Sequence, residues 1–137
     1  MKTVKGLHDK MYTFDNANTS FHQAAKCKRY SEEVLAFSMV KEEELLRATE
    51  EIQNLTYRQG EYKIFKVFEP KERLIMALPF YDRVVQHMIC NAIQPVFENG
   101  FYYHSYACRS GKGMHAASDT LYLSLIHISE PTRHLRI

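Results

Sequence analysis

Apolar residues recur at intervals of three and four through the first part of the chain. Leu7, Met11, Phe14, Ala17, Phe21 and Ala24 predict one helical stripe from Leu7 to about Ala25, which Asn16 and Asn18 weaken locally. A second stripe, Val34, Phe37, Leu45, Ala48, Ile52 and Leu55, predicts inward-facing helix from Ser31 to about Leu55. The Ser31 hydroxyl is placed to cap its first turn beside Glu32 and Glu33. The phase slips near Val40, which allows a break or two helices.

Gly60 marks a change of period. Residues 62–68 and 73–78 are short β-prone runs separated by Glu69-Pro70-Lys71-Glu72, where proline suits the first central position of a turn, so a hairpin is predicted. Lys71 in the turn and Arg73 at the start of the second strand put two cations at one end of a stiff ribbon. Pro79 stops that strand, and Asp82 can serve the N-terminus of the next helix. There Val84, Val85, Met88, Ile89, Ala92, Ile93, Val96 and Phe97 repeat in pairs every four residues and form one apolar face. Asp82, Arg83 and Gln86 are expected to point away from that face together. Pro95 is expected to kink or end the helix, because it removes a backbone donor and crowds the preceding turn. Asn99-Gly100 then turns the chain, residues 101–103 form a short extended piece, and the loop from Arg109 to Gly113 leads into a helix from about Met114 to Leu121.

With 137 residues there is room for one modest domain, and 45% apolar residues with 12% aromatics argue for a folded one. The net charge of +2 is too small to predict nucleic-acid binding by itself. Its distribution says more: Lys2, Lys5, Lys10, Lys26, Lys28 and Arg29 make the first segment basic, and seven glutamates from Glu32 to Glu51 make the next acidic. Solvated helix faces of opposite sign account for this as well as an electrostatic footprint does. Three cysteines, Cys27, Cys90 and Cys108, form no CxxC pair and suggest neither a disulfide framework nor a zinc ribbon, so a cytoplasmic setting is expected. No run approaches the length of a membrane span, and no membrane partner is expected.

The chemistry-bearing block is Ser105-Tyr106-Ala107-Cys108-Arg109-Ser110-Gly111-Lys112-Gly113-Met114-His115. Gly111 and Gly113 let the backbone on either side of Lys112 approach a phosphate closely, at the expected start of a helix where the dipole favours an anion. Arg109 and Lys112 add charge, and Tyr106 offers a stacking or packing surface. A nucleotide-binding P-loop is excluded, because that motif needs a glycine five residues before the Gly-Lys pair and Ser or Thr after it, where this chain has Tyr106 and Gly113. His104, Cys108 and His115 match no zinc spacing, so no metal ligands are assigned. Asp15, Asp82 and Asp119 do not form the spaced carboxylates of two-metal phosphoryl transfer, and no catalytic residue is assigned.

Four runs carry a resemblance: residues 69–75 (EPKERLI), 78–86 (LPFYDRVVQ), 94–97 (QPVF) and 105–117 (SYACRSGKGMHAA). Their order, spacing and residue types resemble the fingers subdomain of bacterial reverse transcriptases related to group II intron and diversity-generating retroelement enzymes. The resemblance implies an α+β fold, a mostly helical fingers subdomain of a right-hand polymerase with a β-hairpin and without its palm. It divides the chain into an N-terminal helical region, 1–58, and partial fingers, 59–122. It implies that Arg73 grips the triphosphate of an incoming dNTP, with Lys71, or Lys66, as companion. Arg83, Gln86, Tyr106, Arg109, Gly111, Lys112 and Gly113 then contact the template, with an RNA template and a DNA primer as partners. The enzyme's Mg²⁺ ions bind aspartates of the palm, one in a strand and two in a Tyr-x-Asp-Asp turn, none of which this sequence contains, so the chain alone is expected to bind no metal and to be inactive. A non-catalytic RNA-binding module of the maturase type is the alternative. Residues 123–133 resemble a translated sequencing adapter, with His134-Leu135-Arg136 in the place of an index, so 123–137 is expected not to be native; a natural strand from Leu123 to Ile128 is the other reading.

Overall fold

The structure is a computed structural model that describes residues 3–129. Its elements are α1 (Leu7–Met11), α2 (Phe14–Ala25), α3 (Glu32–Met39), α4 (Lys41–Gln53), β1 (Lys63–Phe68), β2 (Glu72–Ala77), α5 (Phe80–Glu98) and α6 (Met114–Ser129). Among the described residues the chain is mostly helical, an α+β arrangement with one antiparallel hairpin, as expected. Residues up to Val96 form one compact unit and those from Phe97 a second.

In the first unit α2 packs on α4, and α1 contacts both. Three rings mark the centre of its core. Phe21 and Phe37 stack with centroids 5.6 Å apart, and Phe80 meets both edge-on at 5.9 and 5.1 Å. Such pairs add about 0.5–1.5 kcal/mol each beyond the area they bury. Leu45, Ala48, Val84, Val85 and Met88 are fully buried around them, so α5 shares one core with the helices before residue 58.

The first stripe is two helices rather than one. Thr13 sits in an extended conformation between them, and its hydroxyl accepts a bond from the Asn16 amide at 3.4 Å. Asn16 itself is a junction. Its Nδ2 donates to the carbonyls of Met11 and Met88, each at 2.9 Å, while its Oδ1 accepts from Asn91 at 3.1 Å. The polar residue that weakens the stripe therefore satisfies backbone groups of two helices.

The expected break falls at Val40, between α3 and α4. Ser31 occupies the N-cap of α3 with no side-chain capping bond. Leu55, expected to face inward, is 81% exposed. Helix α4 ends two residues earlier, and Leu55 takes a left-handed conformation at φ 57°. Its amide then reaches the Ile52 carbonyl and the Thr56 amide that of Glu51, a C-terminal motif that turns the side chain outward.

Asp82 neither caps α5 nor faces solvent. The helix starts at Phe80, directly after Pro79, which rotates Asp82 inward to 2% exposure. Its carboxylate accepts bonds from the Tyr57 hydroxyl at 2.7 Å and the Gly60 amide at 3.2 Å. A Cβ on Gly60 would lie 2.9 Å from Asp82 Oδ2, so glycine permits this close approach. Tyr81 makes the matching contact, donating to Glu51 at 2.7 Å. Burial first, and then these bonds to carboxylates, push both phenols well above the ordinary tyrosine range.

The hairpin has the expected register, with Phe68 opposite Glu72 and Lys63 opposite Ala77. Helix α5 passes through Pro95 and ends three residues later, at Glu98. Its apolar face is fully buried only at Val84, Val85 and Met88; Phe97 is exposed. Residues 101–103 form no strand but a turn closed by the Ser105 amide on the Tyr102 carbonyl at 3.0 Å. Helix α6 runs past Leu121 to Ser129, so Leu123–Ile128 is helical rather than a strand. Met1, Lys2 and residues 130–137, with the rest of the adapter-like run, lie outside the described residues. Among the described residues, no helix is long and apolar enough to cross a membrane.

Candidate functional site

The hairpin tip carries the first pair of expected site residues. Both strands are exposed along nearly their whole length. Lys66 and Glu72 form an ion pair at 2.5 Å, which commits the alternative companion, Lys66, within the ribbon. Lys71 and Arg73 are exposed, and neither side chain has an ion-pair or hydrogen-bonded partner among the described residues. Arg73 stands opposite Val67, so Arg73, Val67, Phe65 and Ile75 share one face of the ribbon.

The base of the hairpin is anchored by a residue that the sequence did not single out. Glu33 on α3 takes Lys63 of β1 on one carboxylate oxygen and Arg83 of α5 on the other, the latter at 3.0 Å. The Lys63 bond, opposed in part by desolvation and then aided by the charges of Lys63 and Arg83, holds this carboxyl below the usual glutamate range. Arg83 also lies over the Phe80 ring at 5.3 Å, and its Nε is buried with no partner among the described residues. Its guanidinium is thus built into the junction between α3 and α5. Gln86, one turn on, is exposed. An acidic residue inside an acidic helix gives no sequence signal of such a role, because the two cations it meets lie 30 and 50 positions away.

In the second unit the glycine-flanked loop precedes α6 as expected. Gly111 takes φ 69°, a left-handed value that glycine adopts at no steric cost, and open space surrounds both Gly111 and Gly113. The cations of this loop are occupied. Arg109 Nε meets Glu98 at 2.7 Å, Nη1 donates to the carbonyls of Tyr102 at 3.0 Å and Ser105 at 3.2 Å, and Nη2 reaches the Glu98 carbonyl at 3.5 Å. The guanidinium also lies over the Phe101 ring. Lys112 donates to the Tyr103 carbonyl and lies 4.3 Å from the Tyr103 ring centroid and 5.3 Å from that of Tyr106. Tyr106 donates to Thr120 of α6 at 2.9 Å and is half-buried. Arg109, Lys112 and Tyr106 therefore shape the loop from within, and Tyr102 and Tyr103 are its exposed rings.

Among the described residues no three His, Cys, Asp or Glu side chains gather where a metal ion could be held. The three cysteines are free and exposed. No family model matches the chain, and no curated protein matches it either.

Proposed function

We propose that this chain is the fingers part of an RNA-directed DNA polymerase, in which the hairpin tip grips the incoming dNTP and the loop before α6 faces the template strand. The observation that carries the reading is the pair Lys71 and Arg73, two cations without a partner among the described residues at the tip of an exposed ribbon. A triphosphate needs such a pair, because the arginine fork bonds two oxygens at once while lysine supplies a point charge. The four runs of fingers-like sequence from Glu69 to Ala117 supply the rest of the support.

Within this reading the labour divides by residue. Arg73 and Lys71 hold the nucleotide, Gln86 borders the template, and Gly111 and Gly113 leave room for its backbone. Arg83, Arg109 and Lys112 keep these surfaces in position. Mg²⁺ in the complete enzyme would activate the primer hydroxyl and stabilise leaving pyrophosphate. Within this reading the chain contributes positioning and charge to that chemistry.

Sequencing the source locus across Tyr122, without a transposon-based library, tests the reading. The expected frame continues into an aspartate-bearing strand and a Tyr-x-Asp-Asp turn. A genomic frame that reads Ser-Glu-Pro-Thr-Arg-His-Leu-Arg-Ile and stops would replace it with the non-catalytic RNA-binding module.

A further inference from the structure

The loop from Glu98 to Gly113 turns its cations inward and its rings outward, which is the reverse of what its composition suggests. Tyr102 and Tyr103 are adjacent and 74% and 71% exposed. His104 sits against both, with centroids 5.5 Å from Tyr102 and 5.0 Å from Tyr103. The backbone beneath them is fixed at each carbonyl. Arg109 and the Ser105 amide hold that of Tyr102, and Lys112 holds that of Tyr103.

We propose that Tyr102 and Tyr103 form a stacking platform for the bases of single-stranded nucleic acid; this deepens the reading of the loop as the template side of a polymerase. An exposed ring offers a π-face that any base can cover, and stacking of this kind tolerates any sequence. The carbonyl bonds hold the backbone beneath the rings, which lowers the cost of ordering the loop on binding. Lys112 has no carboxylate partner among the described residues, so its positive charge beside Tyr103 favours a polyanion over a neutral apolar ligand. A bare phosphate would have no use for the rings.

The chain contains nine tyrosines and no tryptophan, so Tyr102→Trp installs a single indole at the platform. Titration of that variant of the 137-residue chain with oligo(U) is expected to quench its emission, and titration with inorganic polyphosphate, which has no bases, is expected not to. Replacing Tyr102 and Tyr103 by alanine is expected to weaken oligo(U) binding by about 5- to 150-fold per ring while leaving the salt dependence unchanged, because no cation is removed. Circular dichroism of the alanine variant checks that the fold is kept, as the exposure of both rings predicts. Unchanged indole emission at saturating oligo(U), or equal quenching by polyphosphate, would overturn the platform. Either result leaves the polymerase reading standing, and a locus without the Tyr-x-Asp-Asp turn removes that reading while the stacking result holds.

Discussion

The hairpin tip and the loop before α6 look alike in sequence, each with one arginine and one lysine beside turn-forming residues. Their cations have opposite fates. At the tip, Glu72 is taken by Lys66 across the ribbon, and Lys71 and Arg73 are left facing solvent. In the loop, the turn after α5 brings Glu98 back onto Arg109, and three carbonyls complete its shell. Whether a cation is available to a ligand is decided by the acceptors that the fold returns to it, not by the charge count around it. The contrast also separates two kinds of contribution: the tip's charges add little to folding, whereas the loop's charges hold its shape.

Substitutions can sharpen or break that contrast. The largest effect is expected for Arg109→Ala, which strands Glu98 and three carbonyls and should destabilise the second unit by about 2 kcal/mol. Amide hydrogen exchange across residues 98–113 reads it directly, and parent-like protection there would end the distinction between loop and tip. Next comes Glu33→Gln, which loosens Lys63 and Arg83 together. The Glu33 side chain is 35% exposed, so screening limits the loss to about 1 kcal/mol. Because its folded pKa is depressed, that contribution is present above the unfolded value near 4.3 and is lost as pH falls through the lower folded one. Acid titration of thermal stability should therefore show a step below about pH 4 that the glutamine variant lacks.

Tyr81→Phe removes the bond to Glu51 and is expected to cost about 1 kcal/mol at neutral pH, a difference that shrinks in alkali. A raised phenol pKa means stability fully present below the unfolded value near 10 and lost as pH climbs toward the folded one. Melting temperatures of parent and variant should run parallel below about pH 10 and converge above it. The smallest stability change belongs to Arg73→Ala, within about 0.5 kcal/mol, since nothing in the fold depends on it. If it grips the triphosphate as proposed, the same variant weakens binding of a dNTP to the chain by roughly ten- to hundredfold, read by direct titration.

Local patterns were legible where they were sustained. The phase slip at Val40, the hairpin around Pro70 and the helix α5 are each written in consecutive residues, and each appears at its expected place. What was not legible depends on distant partners or on a one-residue change of phase. Asp82 was misplaced because α5 starts at Phe80, three positions earlier than an N-cap at Asp82 would start it. Leu55 kept the right period but lies beyond the helix that gives the period meaning. Residues 101–103 are β-prone, yet Arg109 and Ser105 recruit the Tyr102 carbonyl and close a turn. For the site, the identity of Arg73 and Lys71 could be read and their freedom could not. Glu33 gave no signal, because its role exists only when residues 30 and 50 positions away arrive.

The side chain of Asn16 joins Met11 and Met88, and Phe80 closes the ring cluster begun by Phe21 and Phe37. During synthesis those first partners leave the ribosome long before α5 exists. Until the segment from Phe80 to Met88 emerges, the stacked rings of Phe21 and Phe37 lack their third partner. The N-terminal helices therefore complete their core only with residues that are translated last of the first unit, those of α5.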